Sequence, residues 1–351
     1  MFASKKHVIG LDIGASSIKV VQLRHSKKGA ELTAFGMSPL APEVIVDGAV
    51  MDAEVVIDTI RQAVKEFKVK GKYAAISVAG HSVIVKKIVV ADMSRDELED
   101  AIETEAQQYI PFDIEDVNVD FQILESDDML ESGEMAILLV AVKKEKVDEH
   151  LELVQEANLD PIVVDIDVFA LENAYEMNYD IEPDLIVGLV DIGAGTMNIN
   201  ILQDGVSSFV RDISIGGDHY TEALQKEFNV NFEVAERLKR GQLIEDVSQE
   251  DVLAIVNTVS DDIAVEIQRS FDFFRVSALD VAVDKLYLSG GSALFGGIDR
   301  FFEEKLGVEV EILNPFRYVH IPKRFDKDYL ESIAPQAAVA VGLALRSLET
   351  Q

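Results

Sequence analysis

Cysteine is absent from the 351 residues, which excludes a disulfide framework and any thiolate metal site. Histidine is scarce, six in all with no His-x-x-x-His pair, so no imidazole cage for a metal is spelled out. Basic residues number only 32 against 64 acidic ones, a net charge of −32. Such a field repels a nucleic-acid backbone or an anionic lipid surface unless a local basic patch intervenes. The longest basic clusters, Lys5-Lys6 and Lys27-Lys28, are too short to form one. No stretch approaches the roughly 20 apolar residues that cross a bilayer. Met1-Phe2-Ala3-Ser4-Lys5-Lys6 runs straight into strand-like sequence, so no export signal and a cytoplasmic location are expected. The apolar run Ile333–Leu348 is broken by Pro335, Gln336 and Gly342. It lacks the lysines and bulky aromatics on opposing faces that a membrane-surface helix carries, and reads as a buried core helix.

What is present is an ordinary folding composition, 48% hydrophobic and 27% charged, with no low-complexity segment. A chain of this length suits two domains rather than one core. Val8–Ile13, Ile18–Leu23 and Glu31–Phe35 predict a three-stranded antiparallel meander. A helix over about Asp52–Phe67 presents Val55, Val56, Ile60, Ala63, Val64 and Phe67 on one face. Strands are predicted at Tyr73–Val78 and His81–Val90. A capping box at Ser94–Glu97 then opens a helix carrying Leu98, Ala101, Ile102, Ala106 and Tyr109, stopped by Pro111. Strands Val117–Leu124 and Met135–Val142, separated by the acidic loop Glu125–Glu134, complete a small α+β unit of residues 82–143 inserted in a larger domain. Helix Lys146–Ala157, strand Pro161–Asp165 and helix Val168–Asn178 follow. A second meander starts at Leu185. Beyond it lie helices at about Gly217–Glu227, Phe232–Arg240 and Asp251–Phe274, strand Lys285–Leu288, helix Gly297–Leu306 and the terminal helix.

One self-similarity carries chemistry. Val8-Ile9-Gly10-Leu11-Asp12-Ile13-Gly14-Ala15-Ser16-Ser17-Ile18-Lys19-Val20 matches Val187-Gly188-Leu189-Val190-Asp191-Ile192-Gly193-Ala194-Gly195-Thr196-Met197-Asn198-Ile199, and each copy opens a meander. A tight Gly-containing turn lets a ligand approach the backbone. Its exposed amides, with a Ser or Thr hydroxyl, form a nest for phosphate oxygens. An aspartate at the strand end suits Mg²⁺ held through water. Either copy alone reads equally as a hairpin turn; two copies in matched context predict a polyphosphate gripped from both sides.

The paired Asp-x-Gly hairpins, with Gly290-Gly291-Ser292 after a buried strand, resemble the actin, heat-shock chaperone and sugar kinase superfamily. Over nearly the whole chain the sequence is similar to the PilM family of type IV pilus assembly proteins, kin of the division protein FtsA. The start Met1–Lys6 before Ile9–Gly14, and Glu105-Ala106-Gln107-Gln108-Tyr109-Ile110-Pro111-Phe112, carry that closer likeness. The resemblance implies an α/β, actin-like ATPase fold, two ribonuclease H-like domains around a nucleotide cleft, with the inserted unit as a 1C-like subdomain. Its implied divisions are 1–81 with 144–180, the insertion 82–143, the second domain 181–332, and a C-terminal helix 333–351 returning to the first domain. It implies ATP and Mg as cofactors. Asp12, Gly14, Ser16, Ser17 and Lys19 would form the first phosphate site, and Asp191, Gly193, Gly195 and Thr196 the second. Asp12 and Asp191 would hold the metal, Mg, through water. Gly216-Gly217-Asp218 would open the helix beneath the nucleotide, or be a plain helix start. Glu236 and Lys239 would reach the ribose and adenine, although alone they read as a surface i,i+3 ion pair. Gly290, Gly291 and Ser292 would line the adenine pocket. Asp165–Ala170 and Ala334–Gly342 would hinge the domains.

Hydrolysis needs an aligned water as well as a phosphate clamp. The chaperone relatives' glutamate corresponds to Asp167, one methylene shorter, which leaves a catalytic role for Asp167 beside the plainer reading of a helix cap. At most a slow ATPase is expected. The implied partner is a short N-terminal cytoplasmic tail of a PilN-like inner-membrane protein. The apolar candidates for its groove are Val85, Ile88, Ile102, Tyr109, Ile110, Pro111 and Phe112, with Ile110-Pro111-Phe112 the foremost for exposed contact and the insertion's own core as the alternative. A filament-forming FtsA-like protein is a second reading, against which the lack of a basic amphipathic C-terminal anchor counts. A sugar or acetate kinase is a third, for which no separate acidic motif supplies a base.

Overall fold

The computed structural model describes residues 7–124, 133–242, 244–245, 247–278 and 280–349; the Met1–Lys6 segment and residues 125–132 of the acidic loop lie outside them. Strands β1 (Val8–Ile13), β2 (Ser17–Ser26) and β3 (Gly29–Pro39) form the first meander, and a short hairpin, β4 (Ile45–Val46) with β5 (Ala49–Val50), follows. Helix α1 (Ala53–Glu66) begins where the Asp52 carboxylate accepts the Val55 N–H. It buries Val56, Ile57, Ile60 and Ala63. Val55, expected on that face, is 37% exposed, and Ile57, at the other edge of the apolar stripe, is buried instead. Strand β6 (Tyr73–Val78) then joins β1 in parallel.

The insertion comprises β7 (Val83–Ala91), α2 (Arg95–Ala106), β8 (Val117–Ile123) and β9 (Glu134–Lys143), its sheet ordered β7-β9-β8. Both halves of the Ser94–Glu97 capping box are formed. The helix ends at Ala106, whose carbonyl accepts the N–H groups of Tyr109 and Ile110 at 2.9 and 3.1 Å. Tyr109 therefore lies beyond the helix rather than on its face. Helix α3 (Lys144–Glu156), strand β10 (Asp160–Ile166) and helix α4 (Asp167–Asn178) complete the first half.

The second half repeats it. Strands β11 (Ile186–Ile192), β12 (Met197–Gln203) and β13 (Val206–Ile213) form the second meander. Helices α5 (Gly217–Phe228), α6 (Phe232–Lys239) and α7 (Gln249–Ser277) intervene before β14 (Lys285–Ser289). Helix α8 (Ile298–Leu306), strand β15 (Glu309–Ile312), helix α9 (Lys327–Ile333) and helix α10 (Ala338–Glu349) close the chain. The two large sheets run β3-β2-β1-β6-β10 and β13-β12-β11-β14-β15, the same order of third, second, first, fourth and fifth strand. Strand β15, helix α9 and the β4–β5 hairpin carry no periodic signal long enough to be read in the sequence.

Helices α1 and α3 cover one face of the first sheet, packing Val56, Ile60, Leu153 and Val154 on Ile9, Leu11 and Val20. On its other face α10 places Ala340, Val341 and Ala344 against Val21 and Leu23. Helix α4 faces both ways. Ala170 joins Val8 and Ala75 of the first sheet, while Leu171 and Tyr175 join Val187 and Leu189 of the second. The terminal apolar run is a buried helix as expected, but it starts at Ala338, because Pro335 confines Ala334–Ala337 to a tight turn.

Candidate functional site

Each meander carries an aspartate next to last in its first strand and closes the following turn with the same bond. Gly14 N–H donates to Ser17 O at 3.2 Å, and Gly193 N–H donates to Thr196 O at 2.9 Å. The equivalent registers set Asp12 opposite Lys19 and Asp191 opposite Asn198. Lys19 Nζ lies 2.9 Å from Asp12 Oδ2, and both side chains are nearly buried. Burial pulls the Lys19 ammonium down, but attraction and hydrogen bonding to Asp12, with the charges of Asp191 and Asp167, hold it above its usual range. Asp191 is pushed up by burial against the pull of the Ser289 hydroxyl, which donates to it at 2.7 Å, and of Lys19. The two hairpins thus face one another closely enough to sense each other's charge. Ser16 is exposed and Ser17 buried.

Other sequence-selected residues gather behind the second hairpin. Gly217 N–H donates to Gly193 O and Asp218 N–H to Ala194 O, both at 2.9 Å, so the α5 N-terminus is stitched to that turn. A Cβ on Gly217 would lie 3.3 Å from Ser292 Oγ. Gly290 has φ +85 and its N–H donates to Pro335 O at 3.0 Å; a side chain there would run into the Ile192 backbone. Gly291 is exposed beside it. Glu236 and Lys239 are not the surface pair that their spacing suggests. Lys239 Nζ donates to Thr221 Oγ1 at 2.7 Å and to Gly217 O at 3.1 Å, while Glu236 pairs with Lys239 and accepts from Thr221. Burial opposes ionisation of Glu236, yet the hydrogen bonds from Lys239 and Thr221 and the charge of Arg240 keep it below the usual carboxylate range.

Asp167 overturns the helix-cap reading. The capping position of α4 belongs to Ile166, and no side chain caps the helix there. The Asp167 carboxyl is hydrogen-bonded by Ser77 instead; burial, with the charges of Asp12, Asp191 and Asp212, raises it to about 7. An unfolded aspartate titrates near 4. Between those values the folded chain holds the extra proton, so this group's contribution is most stabilising below about pH 4 and falls as pH rises to about 7. An Asp167→Asn chain should therefore lose less stability than the wild type between about pH 5 and about pH 8, as read from chemical denaturation midpoints without nucleotide.

Asn198, Asp212 and Ser289 were passed over in the sequence. Asn198 holds the place in the second repeat that Lys19 holds in the first, a signal within reach of the alignment. Asp212 is set beside Asn198, and Ser289 beside Asp191, only through strand register.

A family model described as type IV pilus assembly protein PilM matches residues 10–348. The chain belongs to the PilM family. Its fold is that of a solved chain of the PilM-PilN type IV pilus biogenesis complex, 30% identical, with a TM-score of 0.86 over 98% of this chain and 99% of that one. Cell division protein FtsA of Bacillus subtilis is 22% identical over 383 residues, 95% of this chain and 82% of that protein. Ethanolamine utilization protein EutJ of Salmonella typhimurium is 26% identical over 157 residues, so the match spans only 45% of this chain and 44% of that relative. MreB5 of Spiroplasma citri bound to ADP, at 12% identity and a TM-score of 0.58 over 98% of this chain and 97% of that one, shares the fold. The actin-like architecture expected from the sequence is thereby established.

In this PilM-family chain the three residues singled out for partner contact divide. Ile110 is 7% exposed and belongs to the insertion's core with Ile88 and Ile102. Phe112 is half-buried under the Lys143 ammonium, 4.5 Å from the ring centre, and Pro111 is exposed. A cavity of about 490 Å³ lies elsewhere, between the insertion sheet and the first sheet. Val140 and Val142 of β9, Val147 of α3, Phe169 of α4 and the outer strand β8 line it, with Asp165 and Arg346 paired at 2.7 Å.

Proposed function

We propose that this PilM-family chain holds Mg²⁺ and ATP between its two hairpins and docks the N-terminal cytoplasmic tail of a PilN-like inner-membrane protein, with slow or no hydrolysis. The observation that carries the nucleotide reading is the pair of congruent turns, each closed by the same backbone bond, with Asp12, Lys19 and Asp191 converging between them. The residues suit the group. Lys19 supplies a cation for phosphate oxygens, and the crowded carboxylates Asp12 and Asp191 gain from a divalent ion, held through water. The bound ion would neutralise phosphate charge. The turn residues Gly14, Ser16, Ser17, Gly193, Gly195 and Thr196 would orient the polyphosphate. Glu236 and Lys239, fixed by Thr221, would meet the ribose and base, beside Gly217, Gly290, Gly291 and Ser292.

Asp167, raised to about 7, is suited to accept a proton near neutral pH, and its short side chain reaches less far than a glutamate would; turnover is accordingly slow. The domain divisions 1–81 with 144–180, 82–143, 181–332 and 333–351 follow the same reading. Among the described residues no helix is long and apolar enough to cross a membrane, so attachment at the inner membrane would come through the partner.

The tail's place is the apolar cavity rather than Ile110. Strand β8 is an outer strand of its sheet, and an extended peptide adds readily to such an edge while its side chains enter the pocket. Titration calorimetry tests both halves. Mg²⁺ and ATP should bind the purified chain, and a synthetic peptide copying the PilN-like N-terminus should bind at a second site. Val140→Glu should weaken the peptide by at least about tenfold and leave ATP binding unchanged. A chain that takes up no adenine nucleotide sinks the first half, and an unaffected peptide in the Val140→Glu chain sinks the placement of the second.

A further inference from the structure

The large cavity has a smaller neighbour of about 250 Å³, and the two share Val78 and Ile166 as common walls. The smaller one is bounded by Gly80 and His81 at the root of the insertion, by Asp167, and by Asn198 and Asp212 of the second sheet. There, four adjacent strands each present one polar residue at the same level: Ser289 of β14, Asp191 of β11, Asn198 of β12 and Asp212 of β13. Directly opposed residues share a face of the sheet. Ser289 Oγ donates to Asp191 Oδ1, Asn198 Nδ2 donates to Asp212 Oδ1, and the Gly80 N–H donates to Asp212 Oδ2, each at 2.7 Å. Beside this contact His81 Nε2 lies 3.3 Å from Ser214 Oγ. Val210 of β13 packs against the same buried cluster, Val78, Val142, Ile166 and Val168, as Val83 and Val85 of β7, Val140 of β9 and Phe169 of α4. The root of the insertion is thus fastened to the second sheet at the end of a polar row that starts at the second hairpin.

We infer that this row transmits nucleotide occupancy to the tail cavity, with Asp212 as the clasp that makes the insertion move with the second sheet. The inference rests on the cleft being the nucleotide site and the larger cavity being the tail site. Its physical basis is registry. A phosphate that draws the β11–β12 hairpin inward carries Asn198 with it, because the ladder slips only in whole residues. Asn198 carries Asp212, and Asp212 carries the Gly80 turn, which leads directly into β7. Since β7 and β8 flank β9 in one small sheet, the cavity wall shifts as a body. A ligand moves such an equilibrium only by contacting the two states unequally, and Asp191 and Gly193–Thr196 are where that difference would be felt.

Hydrogen exchange of β7 and β8, with and without Mg²⁺ and the non-hydrolysable analogue AMPPNP, reads the coupling on the intact chain. In the wild type, exchange should slow by at least about twofold on nucleotide addition. Asp212→Ala should bind the nucleotide, measured on the same samples with a fluorescent analogue, and show no such response. Asp212→Asn should retain the response, because its amide accepts the Gly80 N–H and donates to an inverted Asn198 amide. Asn198→Ala interrupts the row one strand earlier and should also lose it, which keeps the test open should Asp212→Ala fold poorly. A nucleotide-bound wild type with unchanged β7 and β8, or folded Asp212→Ala and Asn198→Ala chains that respond as the wild type does, overturns the relay while both sites stand. A wild type that binds no nucleotide overturns the cleft reading, and the relay with it.

Discussion

An Asp191→Ala chain should bind ATP about 10–100-fold more weakly in the presence of Mg²⁺ and show little difference when the ion is removed, since an outer group that orients a metal's waters contributes on that scale. The same chain without nucleotide should be as stable as the wild type or more so. Its carboxyl is raised by burial and by Asp12, with only Ser289 and Lys19 opposing, so deleting it relieves an unfavourable charge. The opposite signs separate a ligand-binding role from a structural one. Asp12→Ala should behave differently: it strips Lys19 of its 2.9 Å partner and leaves a nearly buried cation, so stability and nucleotide affinity should fall together. Calorimetric titrations with and without Mg²⁺, beside thermal midpoints of the three nucleotide-free chains, give the comparison. Equal affinities for Asp191→Ala and wild type would remove the second hairpin from the site.

Gly342→Ala should be strongly destabilising for a single added methyl. Helix α10 crosses α4 so closely at this point that a Cβ on Gly342 would overlap the Ala170 carbonyl oxygen. Both sides of the clash are main chain, so no rotamer change relieves it and the helices must separate. Overpacking a tight interior site costs roughly 1–3 kcal/mol, and backbone contacts lie at the upper end. The cost would appear as a lowered thermal midpoint and, since α4 touches both large sheets, as weakened nucleotide binding at a distance from the cleft. Gly29→Ala is the control: it has φ +89 but open space around it, so it should incur backbone strain alone, on the order of 1 kcal/mol. A Gly342→Ala chain as stable as Gly29→Ala would mean the two helices stand further apart.

The linear order of elements was legible because the cues were local. Alternation at Val8–Ile13, the capping box at Ser94, and the glycines of the two hairpins depend on near neighbours alone, and each formed as read. The errors fell where a distant partner decides. Val55 and Ile57 flank the apolar stripe on opposite sides, and only the sheet beneath selects Ile57. Glu236 and Lys239 have the spacing of a surface bridge, but Thr221 and the α5 N-terminus close over them. Asp167 has the composition of a cap, yet Ser77 and the carboxylates of two other strands claim its side chain. Ile110 reads as an exposed apolar residue past a helix end, and the insertion's own sheet buries it.

By itself the sequence determined a duplicated meander with an Asp-x-Gly turn in each copy, an inserted α+β unit, and the residue types for gripping phosphate, since strand alternation, turn chemistry and caps act over a few residues. Only the tertiary structure decided that Asp191, Asn198 and Asp212 form one row ending on Gly80, that Asp167 lines the smaller cavity, and that the larger cavity lies against β8. Those facts depend on strand register and on which faces meet across residues far apart in the chain, and no local preference encodes the partner at the other end.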